Sequence, residues 1–220
     1  MGKSPDIITP LHKKTKRDYV KRMTDEKVYC SKIAREYGFD YWDGERRFGY
    51  GGYKYDGRWE AVARKLIENY KLKKDARILD VGCGKGFLLY EFQRLLPDAQ
   101  IAGFDISAYG IKNAKDEVRP KLFIHKAQDA YPFKNKEFDL VISITTLHNI
   151  YVSELKMALG EIGRVGRSGY IAVESFRNEE ELFNLQCWAL TCNSFFSPAE
   201  WVFLFNEFGY RGDYEFIYFE

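Results

Sequence analysis

Short, almost wholly apolar segments alternate with amphipathic segments along most of this chain. The apolar segments are typical of parallel strands that are buried on both faces. They comprise residues 78–81, 101–104, 122–130, 138–144, 170–174 and 214–220. Strands that alternate with helices predict an α/β protein with an open, doubly wound, mostly parallel sheet. Such sheets bind ligands at the carboxyl ends of their strands.

The segments between the strands have the 3.6-residue apolar period of helices that cover a sheet face. Ser107 and Thr24 are predicted N-caps. The tetrapeptide 197–200, Ser-Pro-Ala-Glu, combines an N-cap, a first-turn proline and a capping box, and Gly209 ends the helix that follows. The predicted helices are residues 13–23, 25–37, 58–70, 87–96, 108–118, 153–165, an amphipathic insertion within 178–196, and the helix that begins after Ser197.

Glycines and acids surround the turn after the first strand. Asp80 ends the apolar run, and Gly82, Gly84 and Gly86 alternate with other residues. Asp105 ends the next strand. Glycine reaches positive φ and lets a ligand approach the backbone, and the helix that follows offers free N–H groups to a carboxylate. This βαβ pattern favours an adenosine-cofactor site over a purely structural glycine turn.

Residues 79–86, Leu-Asp-Val-Gly-Cys-Gly-Lys-Gly, resemble the first motif of class I S-adenosylmethionine-dependent methyltransferases. The resemblance implies that this loop holds the methionine part of the cofactor and that an acid binds the ribose. It also implies that an acid or amide beside the adenine bonds its amine. The cofactor-binding residues are then Asp80, Gly82, Cys83, Gly84, Gly86, Asp105, Ile106, Gln128, Asp129 and Thr145. The G-x-G-x-x-G spacing of a dinucleotide site fits this turn poorly.

The resemblance covers residues 58–220 and implies a Rossmann-like sheet of six or seven strands. Members of the family usually end in two strands, whereas this chain has one convincing strand after Gly209. Six strands are therefore favoured, and a short hairpin at Tyr210 is the alternative. We predict a cofactor-binding domain over residues 58–220 and an N-terminal helical and aromatic lid over residues 1–57.

The aromatic loop, residues 39–59, interleaves aromatic side chains with glycines and arginines and forms neither a good helix nor a good strand. Such a loop can wrap a ligand, because rings supply flat walls and arginines bind carboxylate or phosphate. We expect Tyr50, Tyr53 and Arg58 to line the substrate cleft. The alternative is an aromatic loop that packs on the sheet edge.

Methyl transfer is an in-line displacement, so positioning supplies much of the rate and a base is added when the nucleophile carries a proton. His148, directly after the fourth strand, is the first candidate base, and its alternative role is to bond a neighbouring loop. Glu174, at the end of the fifth strand, is the second candidate. Asn149 is predicted to orient either one, and Arg177 is predicted to anchor an anion.

Several motifs of other methyltransferases are missing from the sequence. The loop after the fourth strand lacks the Asn/Asp-Pro-Pro-Tyr signature of enzymes that methylate base amines, and there is no Pro-Cys pair. The paired-glutamate loop of protein arginine methyltransferases is also missing. Because no cluster of acids follows the fourth strand, we predict no metal.

The composition shows a charge asymmetry along the chain and predicts a cellular compartment. Residues 1–75 hold 19 Lys and Arg against 12 Asp and Glu, whereas residues 170–220 hold 2 against 9. The basic segment can meet nucleic acid, an anionic metabolite, or the acidic end of its own chain or of a second copy in a homodimer. Four cysteines without C-x-x-C spacing, and no apolar run of membrane-spanning length, predict a cytoplasmic protein without a membrane partner.

The sequence therefore predicts an S-adenosylmethionine-dependent methyltransferase that acts on an oxygen or nitrogen atom of a small polar metabolite. A sugar, an amino sugar or an amino-acid-like acceptor is favoured because the aromatic loop mixes arginine and tyrosine. One alternative is an RNA or protein methyltransferase that uses the basic N-terminal segment. Another is a cofactor-binding regulatory protein without turnover.

Overall fold

The computed structural model describes residues 2, 5–13 and 15–220. Its strands are β1 (Arg77–Val81), β2 (Gln100–Asp105), β3 (Leu122–Ile124), β4 (Phe138–Ile144), β5 (Gly166–Glu174) and β6 (Asp213–Ile217). They pair in the order β3-β2-β1-β4-β5-β6, and each neighbouring pair is parallel. The doubly wound α/β fold is confirmed, and the described residues form six strands rather than seven.

Helices follow the strands as the sequence predicts. Their bounds are α1 (Thr9–His12), α2 (Tyr19–Thr24), α3 (Lys27–Ala34), α4 (Phe39–Trp42), α5 (Glu60–Tyr70), α6 (Phe87–Leu95), α7 (Ala108–Lys112), α8 (Val152–Val165), α9 (Glu179–Trp188) and α10 (Pro198–Glu207). The Ser107 cap of α7 and the Ser197 capping box of α10 are confirmed. Helix α7 is shorter than predicted, and β3 ends well before residue 130.

The N-terminal helices differ most from the prediction. Residues 13–23, of which Lys14 lies outside the described residues, do not form one helix. Instead α1 ends at His12, and the side chain of Asp18 begins α2 by accepting the backbone N–H of Lys21. Thr24 is the last residue of α2 rather than the cap of α3. An aspartate that bonds a nearby N–H interrupts one helix and starts another, and apolar periodicity does not detect this.

Consecutive residues of the central strands bury their side chains on opposite faces of the sheet. Ile78 and Leu140 pack with α5 and α6 on one face, whereas Leu79 and Val141 pack with α8 and α10 on the other. The chain leaves β1 toward β2 on one side and leaves β4 toward β5 on the other side. Neighbouring strands whose connections diverge in this way open a crevice at their carboxyl ends, where the predicted site residues lie.

A buried carboxylate anchors the N-terminal segment to β6. Glu215, which is only 3% exposed, accepts the backbone N–H groups of Ile7 (2.8 Å), Ile8 (3.1 Å) and Thr9 (2.7 Å). The hydroxyl of Tyr170 donates to the same carboxylate at 2.5 Å. These bonds satisfy N–H groups at the beginning of α1 that have no partner within the helix. They hold α1 and the chain after it against the carboxyl edge of the sheet.

Glu215→Gln is expected to lower the free energy of unfolding by about 2–4 kcal/mol, because the new amide N–H₂ faces N–H donors in a buried site. Urea unfolding measures this loss. Glu220→Gln is the matched control, since Glu220 lies at the surface and pairs with Lys13 at 3.1 Å. An exposed pair contributes about 1 kcal/mol or less. Equal losses in the two variants would contradict the anchoring role.

Candidate active site

Two adjoining cavities open at the carboxyl edge of the sheet. The first cavity, about 330 Å³, has Asp105, Ile106 and Gln128 in its wall. The second cavity, about 320 Å³, has His148 and Glu174 in its wall. The walls of both cavities contain the residues Tyr41, Tyr50, Ile144, Thr145 and Asn149. Three of the predicted cofactor residues and the predicted base therefore line adjoining cavities that share part of their walls.

The glycine turn is left-handed at each of its three glycines, with φ of +82° at Gly82, +54° at Gly84 and +66° at Gly86. The space beside these glycines excludes a side chain as strongly as their backbone conformation does. A Cβ on Gly82 would lie 2.0 Å from Oγ1 of Thr146, and one on Gly84 would lie 2.7 Å from the ring of Trp42. Non-glycine residues are strained at such φ values, so the turn requires glycine for its backbone and for its neighbours.

Asp105 fixes the glycine turn and faces the first cavity. The backbone N–H of Gly84 donates to its Oδ2 atom and that of Ser107 to its Oδ1 atom, both at 2.8 Å. Burial raises the pKa of this carboxyl, and these backbone hydrogen bonds oppose the rise. A carboxylate has about four lone-pair positions, so each oxygen keeps one for a further donor such as a ribose hydroxyl.

The aromatic loop closes over the glycine turn. Nζ of Lys85 lies 2.6 Å from Oδ2 of Asp43 and also donates to the carbonyl of Tyr53 at 2.9 Å. The indole N–H of Trp42 donates to Oγ of Ser107 at 2.8 Å. The lysine of the cofactor motif is thus only 5% exposed at its side chain and ties the loop to the turn. The sequence did not reveal this function of Lys85.

The other predicted cofactor residues separate into two groups. Ile106 and Gln128 line the first cavity, and Ile106 is 49% exposed. Asp129 is exposed and lies outside the wall of that cavity, so Gln128 is the better placed of the two adenine candidates. Cys83 is also absent from the wall, and burial raises the pKa of its thiol. Only its backbone contributes to the turn.

Asp80 is buried at the end of β1, only 5% exposed, and no hydrogen bond to its side chain is found among the described residues. Burial, with the nearby charge of Asp105 adding to it, raises the pKa of Asp80 to about 8. A buried carboxylate without a partner is costly, and a cation beside it removes much of that cost. Asp80 lies behind the glycine turn and is absent from both cavity walls. The ammonium group of a methionine moiety on that turn is such a cation, and the residues present therefore fit an S-adenosylmethionine cofactor.

Asp80→Asn is expected to stabilise the free protein at pH 8 by about 2–5 kcal/mol, with the gain shrinking toward pH 4. The folded-state pKa lies above the ordinary 3.8, so the folded protein holds a proton that the unfolded chain has lost. Wild-type stability therefore falls as pH rises between about 4 and 8. Urea unfolding at several pH values measures the difference. A constant difference across this range, or the same profile in the exposed control Asp98→Asn, would contradict it.

Thr145 stands between the two cavities in a strained conformation. Its φ of +55° is unusual for a β-branched residue. Its backbone N–H donates to the carbonyl of Ala172 at 2.9 Å, and its hydroxyl donates to the carbonyl of Ile144 at 2.8 Å. Strain of this kind persists where the surroundings hold it, often at functional sites. Here it bends the chain directly after β4, at a residue that lines both cavities.

His148 and Glu174 form a pair in the second cavity. The backbone N–H of Glu174 donates to Nδ1 of His148 at 3.2 Å, and Nε2 lies 3.4 Å from Oε2 of Glu174. Burial lowers the pKa of His148, and the glutamate opposes that shift. A neutral imidazole has one lone pair, which is the one at Nδ1 here, so Nε2 carries the proton. The carboxylate of Glu174 is therefore freer than the imidazole to accept a proton from a ligand.

The predicted substrate residues Tyr50, Tyr53, Arg58 and Asn149 all line the second cavity. Tyr50 stacks on Trp42, with ring centroids 5.3 Å apart and planes 7° apart. Oδ1 of Asn149 accepts the hydroxyl of a threonine, and its Nδ2 donates to the carbonyl of Thr145 at 3.1 Å. Both ends of this amide are occupied by the protein, so it holds the cavity wall together.

Arg177 is placed elsewhere, and its prediction as a substrate-binding residue is not supported. It is absent from both cavity walls. Its guanidinium bonds the carboxylate of Glu181 and lies 2.7 Å from Oε1 of Glu220. Glu181 lies in the first turn of α9, and Glu220 is the last residue of the given sequence. These two acids hold the guanidinium at the surface. Sequence proximity to Glu174 suggested the site, but the chain turns away from the cavity after β5.

Sequence reasoning missed a group of residues in the second cavity: His12, Arg17, Arg22 and Arg46. Trp188, which lies within the predicted amphipathic insertion, also lines the cavity. The basic composition of residues 13–23 was the available signal. Composition alone does not distinguish arginines that face solvent from arginines that face a cavity.

A parallel sheet with a left-handed glycine turn, an acid bonded to that turn and an adjoining polar cavity is the arrangement expected of a class I methyltransferase. The sequence model of the Methyltransferase domain family matches residues 72–208, which is more than half of the chain. The chain therefore belongs to this methyltransferase family. The matched part of the chain is a methyltransferase domain, and the cofactor of this class of methyltransferase is S-adenosylmethionine.

Curated relatives cover several activities. The chain is 34% identical over 109 residues to malonyl-[acyl-carrier protein] O-methyltransferase of Legionella pneumophila, covering 47% of this chain and 38% of that protein. It is 29% identical over 168 residues to demethylmenaquinone methyltransferase of a Roseiflexus species, covering 76% and 62%. It is 28% identical over 136 residues to mouse arginine-hydroxylase NDUFAF5, mitochondrial, covering 61% and 39%. The chain spans less than two thirds of each relative.

Solved structures share the fold. One is the complex between the Haloferax volcanii Trm112 methyltransferase activator and a methyltransferase, with a TM-score of 0.57, 19% identity, and coverage of 84% of this chain and 76% of that one. Another is an S-adenosylmethionine-dependent methyltransferase from Aquifex aeolicus, with a TM-score of 0.51, 19% identity and coverage of 70% and 83%. In the part of the chain that the structure describes, no helix is long and apolar enough to cross a membrane.

Proposed function

We propose that this methyltransferase transfers the methyl group to an oxygen or nitrogen atom of a small polar metabolite. The observation that carries this proposal is the position of the second cavity. It adjoins the first cavity through the wall that contains Tyr50 and Thr145, and Glu174 lies within it. Its volume of about 320 Å³ is in the range of pockets for small molecules.

We assign the cofactor to the first cavity and the glycine turn. Asp105 binds the ribose hydroxyls, Gln128 and Ile106 contact the adenine, and Asp80 faces the ammonium group. The bound cofactor supplies an electrophilic methyl group on a sulfonium. The two N–H bonds to Asp105 support this assignment, because they preorganise that carboxylate for hydroxyl donors. Burial of Asp80 supports it as well, because a cation beside this side chain would stabilise its charged form.

We assign proton removal to Glu174 and its positioning to His148. In this scheme the acceptor hydroxyl or ammonium donates its proton to the carboxylate as the nucleophile attacks. The imidazole holds Glu174 by accepting its backbone N–H and by directing Nε2 toward its carboxylate. This order reverses the sequence-based ranking of the two residues. General-base catalysis of this kind contributes about 10²–10⁴-fold to the rate.

The proposed acceptor is tested by transfer of labelled methyl from S-adenosylmethionine into a fractionated extract of the source organism. Label in the low-mass fraction supports a metabolite acceptor. Label in nuclease-sensitive or protease-sensitive material would overturn it in favour of an RNA or protein acceptor. A cytoplasmic location and a homodimer belong to the same proposal, and cell fractionation and light scattering test them.

A further inference from the structure

Three guanidinium groups converge on one aromatic ring in the wall of the second cavity. The Cζ atoms of Arg22, Arg46 and Arg17 lie 4.6, 5.0 and 5.5 Å from the ring centroid of Trp188. They come from α2, from the 3-10 turn of the aromatic loop, and from the segment between α1 and α2. The indole belongs to the last residue of α9. Four separate segments of the chain thus contribute the three arginines and the indole. The three arginines, Arg17, Arg22 and Arg46, are here called the arginine cluster.

The arginine cluster has no carboxylate partner within the described part of the chain. Among the residues that the structure describes, none of the three arginines forms an ion pair, and their acceptors are backbone carbonyls and one imidazole. Arg22, for example, donates to the carbonyls of Arg46 (2.6 Å) and Arg47 (2.9 Å). Neighbouring arginines differ in this respect, since Arg47 pairs with Glu26 and Arg58 pairs with Asp56.

His12 supports the cluster in its neutral form. Its Nε2 atom lies 3.1 Å from the carbonyl of Tyr218, and its Nδ1 atom lies 3.1 Å from a guanidinium nitrogen of Arg17. Because a guanidinium only donates, Nδ1 accepts and Nε2 carries the proton. Burial, followed by the charge of Arg17, lowers the pKa of His12 to about 4. The imidazole therefore orients this guanidinium without adding charge.

The second cavity is positively charged overall. Among the described residues of its wall Glu174 is the one carboxylate, and the cation Lys54 is also part of the wall. Burial lowers the pKa of Arg22 to about 10, and repulsion from Arg46 adds to this effect. Guanidinium groups held this close together repel one another, and an anion between them removes that repulsion. The cavity is built for a ligand with negative charge.

We propose that the methyl acceptor carries two negative charges, either on a phosphoryl group or on a pair of carboxylates. This anionic part of the acceptor binds to Arg17, Arg22 and Arg46. The inference rests on the proposed function, since it defines the acceptor of that reaction. Guanidinium forks match phosphate and carboxylate geometry, and hydrogen bonds to backbone carbonyls preorganise all three of these forks. The anion binds at Trp188, and the reacting atom of the same molecule then faces Glu174 in the same cavity.

Arginine footprinting on the wild-type protein gives the first test and needs no variant. Phenylglyoxal modification is followed by mass spectrometry with S-adenosylhomocysteine bound, at constant ionic strength. Inorganic phosphate and succinate are the two probes. At least one of them is expected to slow modification of the arginine cluster and leave Arg64 unaffected, since Arg64 lies at the surface of α5 and pairs with Glu60. If neither anion protected the arginine cluster, the proposal would be overturned.

Variants give the second test. Arg22→Gln and Arg46→Gln are expected to weaken binding of the protecting anion about tenfold each, measured by calorimetry, because each removes charge-assisted hydrogen bonds. Arg64→Gln is the matched control with the same change in charge and is expected to bind normally. Melting temperatures of the variants are measured in parallel. If a variant melts at a clearly lower temperature than the wild type, the footprinting result on the wild-type protein is used in its place. An equal loss of binding in Arg64→Gln would show a non-specific charge effect and overturn the site.

The acceptor itself gives the third test. The labelled product from the extract is expected to migrate as an anion at neutral pH. Phosphatase treatment of the extract before the reaction distinguishes the two sources of charge, because it removes a phosphomonoester acceptor and leaves a dicarboxylate. A neutral labelled product would overturn this inference and leave the metabolite methyltransferase standing. If the proposed function itself is wrong, the result is different, because the label is then confined to macromolecules.

Discussion

Glu174→Gln is expected to lower kcat for methyl transfer by about 10²–10⁴-fold and to leave S-adenosylhomocysteine affinity unchanged. The amide keeps the shape of the side chain but cannot take the proton of the acceptor. The nearby imidazole cannot replace it, because the one lone pair of neutral His148 accepts the backbone N–H of residue 174. Steady-state kinetics on the acceptor identified from the extract, with calorimetry for the cofactor product, measure the two quantities.

Two companion variants make this result specific. Glu207→Gln, at the exposed end of α10, is the matched control and is expected to keep wild-type kinetics. His148→Gln is expected to lower kcat by less than Glu174→Gln, since His148 acts through the carboxylate. A wild-type kcat in Glu174→Gln would remove the glutamate from the mechanism. A larger loss in His148→Gln than in Glu174→Gln would restore the histidine as the base.

The fold and the cofactor turn could be predicted because their determinants are local. Buried strands are continuous apolar runs, and the turn between Asp80 and Gly86 needs glycines at fixed spacing for positive φ. Asp105 follows from its place at the end of the next strand. These features depend on residues that are near in sequence, so a pattern of letters describes them well.

The second cavity could not be predicted in the same way, because its wall is assembled from distant segments. The arginine cluster and Trp188 are more than 140 positions apart in sequence but meet around one ring. Arg177 shows the opposite case, since it is near Glu174 in sequence but is paired with acids at the surface. Which arginine faces a cavity is decided by long-range packing, and composition does not encode that choice.

The charge asymmetry of the sequence has a partly internal explanation. Lys13 pairs with Glu220 at 3.1 Å, and the amides before α1 bond Glu215. Lys27 donates to the carbonyl of Cys187 at 2.7 Å, near the end of α9. The basic N-terminal segment thus packs on the acidic C-terminal part of its own chain. The arginine cluster belongs to the part of that basic charge that forms no ion pair among the described residues, and it lines the second cavity.

Asp105→Asn is expected to weaken S-adenosylhomocysteine binding by about 100-fold or more. Both carboxylate oxygens accept backbone N–H groups, from Gly84 and Ser107, at 2.8 Å. An amide sets its own N–H₂ against one of these donors, which costs about 1–3 kcal/mol, and loses charge-assisted bonds to the ribose that contribute a similar amount. Calorimetry measures the affinity, and thermal unfolding measures the accompanying loss of stability.

Asp129→Asn is the matched control for this variant, because Asp129 is exposed and lies outside the wall of the first cavity. It is expected to change the affinity less than about threefold, as surface substitutions away from a site usually alter free energies by no more than about 0.5 kcal/mol. If Asp129→Asn weakened binding as much as Asp105→Asn, the adenosine would lie nearer the end of β3 than we propose. If Asp105→Asn bound normally, the first cavity would not be the cofactor site.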